Sequence, residues 1–224
     1  MKNIILQHWS GPFNKLCPLS MDNVQRYAKS IDVPYQFING NAFDPKLEPP
    51  CQKLIMLHQN YDEYDNVAML DMDMFVTNSY KGNIFEDIKG IGLHDHITDK
   101  VFKWCRDKHP NLTDKNYPYW GGCLWMLPRI IRIKFRKHLE NEKEYLKMRE
   151  FSGTFNDEGI MHRLAILSDH KEKMYFGSEW SQGSYFPNPE KAKIIHIRPR
   201  DAFDGPKIKK INAYMKLKAR NIIE

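Results

Sequence analysis

The stretch that most restricts the fold runs from Asp65 to Thr77: Asp65-Asn66-Val67-Ala68-Met69-Leu70-Asp71-Met72-Asp73-Met74-Phe75-Val76-Thr77. Val67 to Leu70 is a short apolar run without alternation, the pattern of a strand buried on both faces. Such strands lie in sheets covered by helices on either side, which places the chain in the α/β class. The run ends in two aspartates one residue apart. Open α/β sheets bind their ligands at the carboxyl ends of their strands. If the backbone stays extended through Met72, Asp71 and Asp73 point to the same side and converge on one hard cation. Oxygen ligands of this kind suit magnesium or manganese.

The rest of the chain alternates short apolar runs with helical patterns, as an α/β architecture requires. Asn3 to Gln7 reads as a first strand, followed by the turn-rich loop His8 to Phe13. That loop falls at the ligand crevice of such a sheet, where Trp9 or Phe13 can stack on a base. Ser20 to Ile31 reads as a helix with Ser20 as its N-cap, and Tyr35 to Ile38 as a second strand. Cys51 to Tyr61 reads as a helix carrying Lys53. Ile91 to His94 reads as a strand, with His94 and His96 on one face, and 95–119 as a long loop on the acceptor side of the crevice. Tyr117 to Met126 joins aromatics, Gly121-Gly122 and an apolar strand; glycine there lets backbone approach a ligand closely. Pro128 to Glu150 reads as one long helix with a charged, solvated surface. In Gly153 to Leu164, Asn156 or Asp157 can cap a further helix. Ala192 to Ile197 is the last strand, and Lys207 to Glu224 a basic amphipathic helix. That helix packs on the domain or touches an anionic membrane surface.

Composition narrows the partners. A chain of 224 residues can bury one substantial core. Its formal net charge of +6 suits anionic ligands. No basic stripe interleaved with aromatics points to nucleic acid. The four cysteines, Cys17, Cys51, Cys105 and Cys123, form no Cys-x-x-Cys pair, which argues for free thiols in a reducing compartment. Ile4 to Leu6 is too short an apolar run for a signal peptide, and no stretch has the length of a membrane helix. The expected location is cytoplasmic.

Taken in order, these segments resemble GT-A-fold glycosyltransferases with an Asp-x-Asp motif, and are similar to glycosyltransferase family eight and its relatives. The resemblance spans nearly the whole chain: first strand and loop, lysine helix, Asp-x-Asp strand, Gly-Gly segment, acidic pair and terminal histidine. It implies one GT-A-like (Rossmann-like) domain over residues 1–224, with a mixed, mainly parallel central sheet flanked by helices. It also implies transfer of a sugar from a nucleoside-diphosphate donor, with UDP as the nucleotide, to a hydroxyl of a glycan acceptor. On that likeness Asp71, Asp73 and His196 hold Mn2+ or Mg2+. Gln7, Trp9, Lys53, Met72, Arg198 and Lys207 contact the nucleotide and its diphosphate, with Arg200 adding positive charge. Gly121 and Gly122 line the donor sugar, and Asp157 or Glu158 faces the reacting carbon. Family eight shows a Lys-Pro-Trp ending where this chain has Asp204-Gly205-Pro206-Lys207. The same aspartates also suit a metal-dependent phosphohydrolase or nucleotidyltransferase, and the crevice suits a non-catalytic nucleotide- or carbohydrate-binding domain.

Overall fold

The computed structural model of the chain describes residues 1–151, 156–184, 188–198 and 209–224. A six-stranded sheet carries the fold. Three strands run parallel: β1 (Asn3–Trp9) lies between β2 (Tyr35–Asn39) and β3 (Asn66–Asp71). Next to β3 comes antiparallel β6 (Gly121–Pro128), then β5 (Gly92–Leu93) and β7 (Tyr175–Phe176) at the far edge. The sheet is mixed and mainly parallel, as the sequence predicts.

Alternation along the central strands sorts their side chains into two cores. Ile4, Leu6, Val67, Met69, Trp125 and Leu127 face one layer. Ile5, Ala68, Leu70, Leu124 and Met126 face the other. Both faces are thus apolar, which explains the unbroken Val67–Leu70 run.

A second sheet orders β4 (Met74–Val76), β9 (Ile194–His196) and β8 (Gln182–Gly183), with β9 in the middle. Helix α1 (Leu16–Ser30) holds β4 against the main sheet through polar groups at buried positions. Asn23 both donates to the Val76 carbonyl (3.1 Å) and accepts from the Val76 amide (2.7 Å). Ser20 donates to the Met74 carbonyl at 2.7 Å. Ser20 is therefore a buried anchor inside the helix. The helix starts one turn before the expected cap, where Asn14 accepts from the Leu16 amide.

Other boundaries differ from the sequence reading for local reasons. Residues Pro49–Leu57 form a 3-10 helix, and Gln59–Tyr61 another. With three residues per turn, Cys51, Leu54 and Leu57 fall on one buried face. Residues 95–119 are not all loop. Asp95 accepts from the amides of Ile97 and Thr98 and caps α3 (His96–Lys108), so His94 and His96 do not share a strand face. Between Asn78 and Lys89, where the sequence reads as a turn and a short helix, stands short α2 (Ile84–Asp87). The expected long helix is two, α4 (Arg129–Leu139) and α5 (Glu142–Met148), divided where Asn141 caps the second. Helix α6 (Asn156–Leu167) follows. Helix α7 (Lys210–Ala219) packs Ala213, Tyr214 and Leu217 against Phe75 of β4 and Ile195 of β9. Packing on the domain is thus its observed role. Among the described residues, no helix is long and apolar enough to cross a membrane.

Candidate active site

The order of β2, β1 and β3 reverses direction around β1, which opens a crevice at the carboxyl ends of β1 and β3. In register, His8 of β1 stands level with Asp71 of β3. Asp71 is the last residue of its strand. Met72 and Asp73 then form a turn into β4, so strand alternation is not what brings the two carboxylates together. The turn is fastened from behind by Gln7. Its fully buried amide donates to the Asp71 carbonyl (3.1 Å) and to Ser20 (2.9 Å), and accepts from the Tyr35 hydroxyl (3.0 Å). All its polar atoms are engaged inside the fold. The expectation of a nucleotide contact at Gln7 gives way to a supporting position behind the aspartates.

The small sheet delivers the histidine. Met74 of β4 pairs with His196 of β9, and the Ile197 amide donates to the Asp73 carbonyl at 2.9 Å. This register sets His196 Nε2 3.0 Å from Asp73 Oδ1, while Lys210 at the start of α7 pairs with Asp73 Oδ2. Burial opposes the Asp73 charge, but the cationic His196 and Lys210 more than offset it and hold the carboxyl below the usual range. Burial and Arg198 oppose protonation of His196, and Asp73 outweighs them, so its pKa is raised.

Lys53 forms the second hub. The 3-10 turn buries its side chain and aims the ammonium at three acceptors: Asp71 Oδ1 (2.8 Å), Asp157 Oδ2 (2.9 Å) and the Gly122 carbonyl. Burial works against its charge, and Asp157 and Asp71 overcome it, raising the pKa. Glu158, beside Asp157 at the start of α6, accepts from the Gly122 amide (2.7 Å) and the Tyr119 hydroxyl (3.2 Å). Burial, then the nearby Asp157, push the Glu158 carboxyl up to about 7. Glycine is required at position 122 for space. A Cβ there would lie 2.6 Å from Asp157 Oδ2, the oxygen that Lys53 holds. At Gly121 a Cβ would make only ordinary contacts at 3.6 Å.

Two clefts meet at this cluster and share Pro50, Lys53 and Asp71. The larger, about 320 Å3, is walled by Gly121, Gly122, Asp157 and Glu158 on one side and by His196 and Arg198 on the other. The smaller, about 240 Å3, is lined by His8, Trp9, Met72 and Asp73. Trp9, Lys53, Met72, Asp71, Asp73, Gly121, Gly122, Asp157, Glu158, His196 and Arg198 therefore gather in one place. Phe13 instead packs on Phe37, 5.6 Å between ring centroids. Arg200 and Lys207 lie outside the described residues.

Asp71, Asp73 and His196 each present a ligand atom, all within 4.8 Å of one another, the one such group among the described residues. The donor set, two carboxylates and an imidazole, suits a divalent cation of the manganese or magnesium kind. His196 turns Nε2 toward Asp73, and its ring also interacts with the Cys123 thiol. His94 and His96, the rival ligands, stand elsewhere. His94 stacks on Tyr175 at 4.3 Å and pairs with Asp99, and His96 opens α3.

Sequence reasoning missed several residues of the site. Lys210 reaches Asp73, Tyr119 holds Glu158, and Asp95, Ile97 and Thr98 at the start of α3 line the larger cleft. The acidic cap Asp95 ahead of Ile97 and Val101 was a readable helix start. Nothing in the sequence distinguishes Lys210 from its basic neighbours.

No protein-family model matches the chain, and no curated protein is similar to it in sequence. Solved structures do match. A glycosyltransferase involved in glycosylation of the major capsid of PBCV-1 is 12% identical over 97% of this chain and 100% of its own, with a TM-score of 0.52. An active-site variant of LgtC is 14% identical over 97% of this chain and 95% of its own, with a TM-score of 0.51. The galactosyltransferase LgtC bound to donor and acceptor sugar analogues gives 12% identity and a TM-score of 0.49. At such identities the likeness is one of fold: along nearly its whole length, the chain has the GT-A-like architecture of these glycosyltransferases.

Proposed function

We propose that the chain is a metal-dependent glycosyltransferase that moves a sugar from a nucleoside-diphosphate donor, with UDP as the nucleotide, to a hydroxyl of a glycan acceptor. The observation that carries this reading is the Asp71–Asp73–His196 group standing where two clefts meet. The same carboxylates also suit a phosphohydrolase or nucleotidyltransferase, and the likeness of fold to glycosyltransferases is what favours glycosyl transfer.

In this reading the smaller cleft takes the nucleoside, between Trp9, His8 and Met72, and the larger takes the sugar beside Gly121 and Gly122. Asp71, Asp73 and His196 hold Mn2+ or Mg2+. When bound, the cation acts as a Lewis acid that neutralises the departing diphosphate. Arg198, on the wall next to His196, adds positive charge on the same side. Lys53 keeps Asp157 in a fixed place at the sugar end. Glu158, with its carboxyl near the midpoint of titration at neutral pH, can take up or release a proton at Oε2, the oxygen that Tyr119 approaches. In an inverting reaction one of these carboxylates takes the acceptor's hydroxyl proton. In a retaining one it stabilises positive charge at the sugar carbon, the course that similarity to family eight favours.

Calorimetry with UDP, in the presence and absence of Mn2+, tests the reading. Wild-type protein should bind UDP in a manganese-dependent way and slowly release UDP from a UDP-sugar with water as acceptor. Asp71→Asn and Asp73→Asn should abolish the manganese dependence with little loss of fold. Unchanged manganese-dependent binding in both variants overturns the assignment.

A further inference from the structure

The two aspartates at the cleft junction each hold a protein ammonium, and the two ammoniums are held differently. Lys53 is buried, with 6% of its side chain exposed, and is fixed by three acceptors. Lys210 has 38% of its side chain exposed, and its ion pair is with Asp73. It is the first residue of α7, whose Tyr214 packs on Phe75 at 5.3 Å between ring centroids, two residues beyond Asp73. Packing of the helix therefore sets where Lys210 begins, while the tip of its side chain remains open to water. Asp73 offers one oxygen to His196 and the other to Lys210. A divalent cation that takes Asp73 together with Asp71 and His196 meets a carboxylate already neutralised.

We propose that Lys210 is an exchangeable counter-ion: it pairs with Asp73 and yields that carboxylate when a divalent cation binds. The proposal rests on the metal-site reading above. Without a cation, the partly buried Asp73 would have His196 alone as its partner while lying close to Asp71, and Lys210 supplies the second positive partner. Entry of the cation then requires the ammonium to leave, so its apparent affinity falls by the strength of the pair it breaks. A partly exposed pair of this kind corresponds to roughly twofold to fivefold in affinity. By reciprocity, cation loading loosens the first turn of α7, where the amides of Asn212 and Ala213 bond the Lys209 carbonyl at 2.9 and 3.4 Å.

The test titrates Mn2+ alone into the full chain and follows amide hydrogen exchange with and without it. Lys210→Ala, and Lys210→Gln as a variant that keeps much of the stem, should each bind Mn2+ about twofold to fivefold more tightly than wild type. Lys209→Ala removes the same charge one residue away and should stay within about twofold of wild type. In wild type, Mn2+ should speed exchange at Asn212 and Ala213; in the Lys210 variants it should not. Lys210 variants that bind no more tightly than Lys209→Ala overturn the exchange and leave the metal site standing. So does unchanged α7 exchange in wild type. If wild type and every Lys210 variant fail to bind Mn2+, the metal-site reading fails and the exchange falls with it.

Discussion

Replacing Lys53 by methionine isolates what the central ammonium contributes to the fold. The change keeps an unbranched stem of similar length in the 3-10 turn and deletes the charge. Three groups lose their partner at once: Asp71, with 26% of its side chain exposed, Asp157, with 9%, and the carbonyl of Gly122. Removing one member of a buried ion pair typically costs about 3–5 kcal/mol, because the remaining charge is left desolvated. Asp71 keeps some contact with water, so its share is discounted, and about 3 kcal/mol is expected in all. Urea unfolding without added metal measures this. With a slope of about 2–3 kcal/mol/M, the midpoint should fall by roughly 1–1.5 M. One signature separates an electrostatic cause from poor packing: the double variant Lys53→Met/Asp157→Asn should recover at least half of the loss. A single variant within about 0.5 kcal/mol of wild type, or a double variant as unstable as the single, refutes the argument.

Two further outcomes follow from the same cluster. Gly122→Ala forces a methyl against the Asp157 oxygen held by Lys53 and should cost about 1–3 kcal/mol in urea unfolding, whereas Gly121→Ala should cost far less; equal effects would contradict the geometry. Glu158 has its folded pKa raised from 4.5 to about 7, so its stabilising contribution is full below about pH 4.5 and is lost as pH rises through 7. Glu158→Gln, neutral throughout, should flatten the stability profile across that window, and a wild-type profile already flat there would rule out the buried carboxyl.

The parts legible in the sequence are those that depend on neighbours in the chain. Val67 to Leu70 announces a doubly covered strand because consecutive residues must satisfy opposite faces. Asp71, Asp73 and His196 were expected together and do meet. The reason given for the pair was wrong, however, since a turn brings the aspartates together rather than an extended backbone. Helix α3 was hidden because its buried stripe is thin, with only Thr98 and Cys105 fully enclosed. The division between α4 and α5 depends on one capping residue, Asn141, within a uniformly charged stretch. The partners of Lys53 come from three separate strand and helix ends, and Gln7 serves the turn through a backbone carbonyl. Long-range contacts of this sort leave no local pattern to read.

The register that pairs Met74 with His196 also has a consequence for synthesis. Asp71 and Asp73 leave the ribosome more than a hundred residues before the strand that supplies their histidine, and α7 comes later still. At ordinary elongation rates that delay is on the order of ten seconds. The parallel strands β1, β2 and β3 can pair during this interval, but the nascent chain has no third ligand to close around a cation. On the proposed metal-binding role, loading is therefore deferred until His196 has emerged. A translation product that stops short of Ile194 would carry the aspartates on a partial sheet without His196, the third member of the proposed centre.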